Sequence, residues 1–89
     1  MPRVVFTANL ERHLACPPQD VRGKTVRSVL EGVFAENPLL RSYILDDQGS
    51  LRQHVVIFLD GQQIEDRKKL ADRVSEGAEI YVMQALSGG

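Results

Sequence analysis

Several features that define other protein classes are scarce or missing in this sequence of 89 residues. A single cysteine excludes a disulfide framework, and four prolines exclude a collagen-like or proline-rich chain. Eleven basic against twelve acidic side chains give a net charge of -1, which favours neither nucleic acid nor an anionic membrane as a partner. The longest apolar run, residues 55–59, is too short to cross a bilayer. We therefore expect one small cytoplasmic domain without a signal peptide.

The clearest periodicity begins at residue 26. Apolar side chains recur at spacings of three and four, which is typical of a helix with one buried face. Thr25 is a suitable N-cap, and Asn37-Pro38 marks the end, because proline disfavours helical geometry in the residue before it. The predicted buried face consists of Val26, Val29, Leu30, Val33 and Phe34.

Runs rich in β-branched and aromatic residues predict the strands. The unbroken apolar run 55–59 indicates a central strand, either covered on both faces or lying at a contact surface. Asp60-Gly61 after it is a turn signal that favours a short returning strand. The predicted strands cover residues 3–7, 12–16, 55–59, 62–64 and 79–83.

The connections between these elements are less regular. Residues 19–23 are rich in turn formers, and residues 46–50 form a loop in which Asp46-Asp47 suits a turn better than a cation site. Residues 39–45 predict a short irregular or helical stretch at the edge of the core. The order strand, strand, helix, strand, short strand, strand predicts α+β packing of a helix on a sheet.

The last predicted strand has two faces, because successive side chains alternate across a sheet. Ile80 and Val82 should face the helix, whereas Tyr81 and Met83 should face solvent, a partner or an overlying loop. Phe58, in the earlier strand, is interpreted as a core residue rather than a contact residue.

Short sequences at matching positions carry a family resemblance. VRGKTV at 21–26, VIFLDG at 56–61 and EGAEI at 76–80, followed by Gly88 and Gly89, resemble the ubiquitin-like small sulfur carriers of the MoaD/ThiS group. This group includes the small subunit of molybdopterin synthase, the thiamine sulfur carrier and the carrier of one cysteine-synthesis route. The resemblance implies a β-grasp fold over residues 1–84, with a mixed sheet of four to five strands and one main helix packed across it. Residues 85–89 would then form a flexible diglycine tail.

The resemblance also implies a function at the end of that tail. A ubiquitin-activating-type adenylyltransferase would use ATP to adenylate the carboxylate of Gly89, and sulfur would replace AMP to give a thiocarboxylate. A sulfur-accepting synthase subunit would then use this covalent sulfur in cofactor or cysteine biosynthesis. The domain would be a co-substrate with no catalytic residue, bound cofactor or metal of its own.

The same resemblance assigns roles to the residues around Gly89. Glycine allows the closest approach of backbone to a partner, which suits a tail that threads a narrow active site. Tyr81 and Met83 are the predicted docking residues of the sheet, and Leu86 is a further candidate on the tail. The predicted threading residues are Ala85, Leu86, Ser87 and Gly88.

Several alternatives remain open on the sequence alone. The residues QALS at 84–87 stand where the molybdopterin branch often carries a proline pair, which counts against that branch. The sequence does not choose among molybdopterin, thiamine and cysteine synthesis. Gly89 is either the native end or an end exposed by processing. Two functions are alternatives to that of a sulfur carrier. The chain could be a non-catalytic ubiquitin-like interaction module, or a protein modifier conjugated through Gly89.

The remaining reactive side chains form no recognisable site. Cys16 suits a small half-buried hydrophobic position better than a persulfide acceptor. His13 and His54 have no cysteine or carboxylate at ligand spacing, so the sequence contains no zinc motif. Residues 67–69 lie in a mixed-charge segment that predicts a solvated loop rather than a partner contact.

Overall fold

A computed structural model describes residues 1–6 and 18–84, with the backbone alone at Gln84. The strands in these ranges are β1 (Arg3–Phe6), β2 (Gln19–Asp20), β3 (Val55–Leu59), β4 (Gln62–Gln63) and β5 (Glu79–Gln84). The helices are α1 (Val26–Glu36) and α2 (Pro38–Ile44). Neither is long and apolar enough to span a membrane.

The described strands form one mixed sheet in the order β2-β1-β5-β3-β4. The central strand β5 runs parallel to β1 and antiparallel to β3. Parallel neighbours need a long crossover connection, and here the chain between β1 and β5 supplies both helices and the other strands. This is the predicted β-grasp arrangement, with α2 as a second, shorter helix.

Helix α1 begins and ends where the sequence predicts. The Ser28 amide donates to Thr25 Oγ1 over 3.1 Å, and the Thr25 amide donates back to Ser28 Oγ over 3.1 Å, so the first turn is capped reciprocally. The Asn37 amide donates to the Val33 carbonyl over 2.9 Å at the other end. All five apolar residues of the predicted face are buried, because together they cover one face of the sheet.

The sequence predicts either an irregular or a helical stretch over residues 39–45. The structure shows a helix, α2. Pro38 lies in its first turn, where a missing amide hydrogen costs nothing and the fixed φ suits a helix. Leu40 and Ile44 are fully buried, whereas Leu39 and Tyr43 are exposed. The helix therefore extends the core at its edge.

The core lies between α1, α2 and one face of the sheet. Each long strand contributes alternate residues to it, as the period of two requires. The strand residues of the core are Val4 and Phe6 in β1, Val55 and Ile57 in β3, and Ile80 and Val82 in β5.

One edge of the sheet differs from the prediction. Gln19 and Asp20, expected in a turn, form β2 and pair with Val4 and Arg3. Two polar residues give no strand signal in the sequence. They form a strand because the backbone amides and carbonyls of β1 need hydrogen-bond partners. The Val21 amide extends this pairing by donating to the Pro2 carbonyl over 2.8 Å. Thr7 and the strand predicted over 12–16 lie outside the described residues.

The β3–β4 hairpin follows from its turn residues. Asp60 and Gly61 have φ angles of 51° and 85°, as the two central residues of a type I′ turn require. The returning segment pairs back as predicted, and Ile64 is buried. One face of β3 is buried and the other is partly exposed, so the strand is not covered on both sides.

Candidate functional site

The strand that leads to the chain's last residues is held on both sides. At its start, the Asp60 amide donates to the Glu79 carbonyl over 2.9 Å, and the Glu79 amide donates to Asp60 Oδ1 over 2.9 Å. Further along, β5 pairs with β1 from Glu79 to Val82 and with β3 from Ile80 to Gln84. The course of the backbone is therefore fixed as far as Gln84.

The two faces of β5 carry different side chains, as predicted. Ile80 and Val82 are fully buried beneath the helices. Tyr81 and Met83 lie on the opposite, outer face and are partly exposed. Neither residue lies at an edge of the sheet, because β5 is its central strand.

The strand register adds three residues to this outer face. Val5 and Phe58 both lie opposite Tyr81, on either side of it, and Val56 lies opposite Met83. Paired residues share a face, so all of these side chains point outward. We call the group the outer patch; its members are Val5, Val56, Phe58, Tyr81 and Met83, all partly exposed.

Phe58 corrects the sequence prediction. It was expected in the core, but it belongs to the outer patch and is absent from the buried cluster. The unbroken apolar run hides the alternation of β3, so its composition does not reveal which residues face inward. Phe58 could have been placed on the outer face only from its pairing with Tyr81. That pairing depends on how the strand before the Asp60-Gly61 turn is aligned with β5.

Polar residues border the outer patch. Gln63 lies opposite Phe58 on β4, and Arg3 lies between Asp20 and Glu79 at the far end of the sheet. Large apolar and aromatic side chains surrounded by a polar rim are typical of protein interfaces. The outer patch is thus chemically suited to contact another protein.

The predicted tail residues lie outside the described part of the chain. Ala85, Leu86, Ser87, Gly88 and Gly89 therefore keep their roles as predictions. His13 and Cys16 also lie outside it. His54 is described, exposed, and located directly before β3.

A loop ordered by one carboxylate follows β4. The amides of Lys69, Ala71 and Lys68 donate to the Asp66 carboxylate over 2.9, 3.3 and 3.2 Å. These hydrogen bonds, that of Lys69 above all, lower the pKa of Asp66 below its ordinary value of 3.8, against a smaller opposing effect of desolvation. Asp66 is therefore a structural acid of the loop.

Arg67, in the same loop, is not the solvated side chain that its sequence context predicts. Its Nη2 donates to the carbonyls of Arg52 and Val55, over 2.8 Å in each case. It thereby fixes the segment that leads into β3 next to the end of β5. Beside it lies a cleft of about 550 Å³, which we call the exit cleft; it is lined by Asp46, Gln48, Ser50, Gln53, Arg67 and Lys68 above Leu51.

Metal binding has no support in the described residues. Nowhere in ranges 1–6 and 18–84 are three His, Cys, Asp or Glu side chains grouped so that they could hold an ion. Asp46, considered above for a cation, instead accepts the amides of Gln48 and Ser50 over 2.9 and 3.0 Å, which closes its turn. The outer patch, the end of β5 and the exit cleft are the features that could serve a partner protein.

Solved structures with the same fold are numerous. A chain of the crystallised BexX/CysO complex of Amycolatopsis orientalis aligns with a TM-score of 0.84 at 15% identity, covering 100% of both chains. CysO of Mycobacterium tuberculosis, described as an antigen, aligns at 0.82 and 18% identity over 97% of this chain and 100% of that one. These two likenesses show the fold alone.

A third structure is more similar in sequence. The solution structure of the small archaeal modifier protein SAMP1 from Methanosarcina acetivorans aligns with a TM-score of 0.81 at 26% identity, over 99% of this chain and 95% of that one. No curated protein sequence matches the chain significantly.

The sequence model of the ThiS family matches residues 13–89, which is most of the chain and includes Gly88 and Gly89. This match and the β-grasp architecture agree with the resemblance noted in the short motifs. The chain therefore belongs to the ThiS family, within the ubiquitin-like small sulfur carriers.

Proposed function

We propose that the protein is a sulfur carrier that acts through the carboxylate of Gly89, as native end or after processing. The observation that carries the proposal is the position of β5. This central strand is fixed by hydrogen bonds as far as Gln84, five residues before Gly89, and the family match continues through residue 89. A rigid body would thus present a short glycine-ended segment to a partner.

The chemistry proceeds in two steps on the partner enzyme. A carboxylate oxygen of Gly89 attacks the α-phosphorus of ATP, and pyrophosphate leaves, which forms an acyl-adenylate. A sulfide then attacks the acyl carbon, the bond to AMP breaks and the proton on sulfur is lost, which leaves a thiocarboxylate. The partner must exclude water during this sequence, because water would hydrolyse the activated acyl group.

The length of the tail suits this role. Five extended residues from Ala85 to Gly89 reach at most about 17 Å. That reach lets Gly89 enter a buried active site while the folded body remains outside. Glycine at both final positions keeps the channel narrow, because it has no side chain to accommodate.

The outer patch supplies the docking surface in this proposal. Tyr81 and Met83 lie on the strand that becomes the tail, so a partner that grips the patch also orients the tail. One chain of matching fold is crystallised in a complex with BexX, which supports the expectation of a protein partner. The expected partners are a ubiquitin-activating-type adenylyltransferase and a subunit that accepts the sulfur.

The decisive experiment measures the intact mass of the protein. Incubation with ATP, its cognate activating enzyme and sulfide should add the mass difference between sulfur and oxygen at the C-terminus. A variant that lacks Gly89 should show no change, and fragment masses should place the sulfur on Gly89. An unchanged wild-type mass with an enzyme that is active on its own control carrier would contradict the proposal.

A second candidate function is that of a protein modifier. The likeness to a small archaeal modifier protein favours it, and it shares the adenylation step with sulfur transfer. In this case an amine of a target lysine attacks the activated Gly89, which forms an amide instead of a thiocarboxylate. Mass spectrometry of peptides from cell extracts in which Gly89 is joined to a target lysine distinguishes the two functions. A simple interaction module would tolerate loss of both glycines.

A further inference from the structure

The exit cleft lies close to the point where the tail leaves the sheet. Arg67 hydrogen-bonds the Val55 carbonyl, and Val55 lies opposite Gln84. The Ile57 carbonyl, two residues on, accepts the Ile64 amide on the β4 side, so Arg67 occupies that same side of β3. The Arg67 guanidinium, which lines the cleft, therefore lies on one side of β3, and the Gln84 backbone lies on the other side.

The charges of the cleft favour an anionic ligand. Its acid, Asp46, already accepts two backbone amides through Oδ1. The exposed Lys68 ammonium has neither hydrogen bond nor ion pair with any residue in the described ranges, where the one ion pair joins Arg41 and Glu31. Arg67 adds a second positive charge, so the lining of the cleft has an excess of one positive charge.

The uncharged groups of the cleft point to the same chemistry. The side chains of Gln48, Ser50 and Gln53 carry donors, and none of them hydrogen-bonds another described residue. Amide and hydroxyl donors beside a free ammonium complement a carboxylate, which accepts several hydrogen bonds at once. The buried Leu51 contributes an apolar group to the floor of the cleft.

We propose that the exit cleft binds an acidic segment of the activating enzyme and so orients the tail toward its active site. This inference rests on the proposed function, because it assigns a second contact to the same partner. The outer patch holds the body on one face of the sheet, whereas the cleft holds the sheet at the end from which residue 85 departs. Two separated contacts fix the direction of the tail better than one.

Lys68 and Lys69 form a matched pair for testing this proposal. Both are exposed, adjacent and equally charged, but only Lys68 lines the cleft. Lys69 instead contributes its charge to the Asp66 carboxylate, whose pKa it helps to lower. Reversal of either charge changes the net charge of the protein by the same amount. A difference between the two variants is therefore due to the position of Lys68 in the cleft.

The experiment measures pyrophosphate release by the activating enzyme as a function of carrier concentration. Lys68→Glu should raise KM by about tenfold at low salt with kcat unchanged, and added salt should shrink the difference, because exposed charge pairs are screened. Lys69→Glu should stay within about twofold of the wild type, and Lys68→Arg should restore a near-normal KM. Thermal unfolding of each variant checks that the fold is intact.

The outcomes separate this inference from the function on which it rests. Equal KM values for Lys68→Glu and Lys69→Glu, with normal adenylation of both, overturn the cleft contact and leave the carrier function standing. A fall in kcat without a change in KM also overturns it, because a docking contact acts on binding. Absence of adenylation in the wild-type protein overturns the carrier function and the inference together.

Discussion

The two faces of β5 differ although they alternate along a single strand. Ile80 and Val82 are fully buried against the helices, whereas Tyr81 and Met83 are partly exposed beside Val5, Val56 and Phe58. Both sets are apolar, so hydrophobicity alone does not separate them. What separates them is which face α1 covers.

This contrast indicates that the two faces of β5 have different roles. Residues on the inner face stabilise the fold by removing apolar surface from water. Residues on the outer face are only partly buried, and apolar surface that remains accessible in one cluster is typical of interaction sites. In the proposed function, β5 therefore connects the core to residues 85–89 and contributes Tyr81 and Met83 to the docking surface.

Truncation of the inner face should have the largest effect. Ile80→Ala removes a fully buried side chain and should lower the free energy of unfolding by about 2–5 kcal/mol. Urea unfolding followed by circular dichroism measures this loss. A smaller loss of unfolding free energy for Ile80→Ala than for Tyr81→Ala would contradict the contrast between the two faces.

Truncation of the outer face should affect binding instead. Tyr81→Ala should weaken association with the activating enzyme by about tenfold, while its lost cross-strand contacts cost about 1 kcal/mol or less of folding stability. Titration calorimetry measures the affinity, and Tyr81→Phe, which keeps the ring, serves as the control. Unaltered affinity for Tyr81→Ala and Met83→Ala alike would exclude the outer patch as the docking surface.

Loss of the helix cap should destabilise the protein without touching the outer patch. Thr25→Ala removes the acceptor of the Ser28 amide and should cost about 1 kcal/mol of unfolding free energy. The affinity for the partner should not change, because α1 covers the other face of the sheet. Paired measurements of melting temperature and affinity test this; a weakened complex would show that the two faces are coupled.

The smallest expected effect is a pH dependence of folding stability that is due to Asp66, which lies on neither face of β5. The pKa of Asp66 is lowered by folding, so its contribution to stability is present above the unfolded-state pKa and is lost as the pH falls through the folded-state pKa. Asp66→Asn should therefore be less stable than the wild type near neutral pH, with the difference shrinking in acid. Melting curves between neutral and strongly acidic pH measure it, and a pH-independent difference would contradict this assignment.

Local signals in the sequence predicted the elements that depend on local chemistry. The apolar face of α1, the cap at Thr25 and the Asp60-Gly61 turn all appear as expected, because each is set by neighbours within a few residues. The orientation of Tyr81 and Met83 also followed from alternation alone. The roles of Gly88 and Gly89 came from the family resemblance and stay predictions.

Other features depended on pairings that no local pattern encodes. The strand at Gln19 and Asp20 exists because β1 offers them backbone partners. Phe58 faces outward because the hairpin aligns it with Tyr81, and Arg67 is drawn inward by carbonyls of a segment that precedes it by more than ten residues.

The sequence by itself determined the helix, the main strands, the two faces of the last strand and the family. Only the tertiary structure decided which apolar residues lie together on the outer face of the sheet. It alone also placed beside the end of β5 a cleft whose Lys68 has no ion pair within residues 1–6 and 18–84. The physical reason is the range of the interactions. Periodicity and capping act within one turn or one strand, whereas a surface is assembled from strands that are distant in sequence and meet only when the sheet forms.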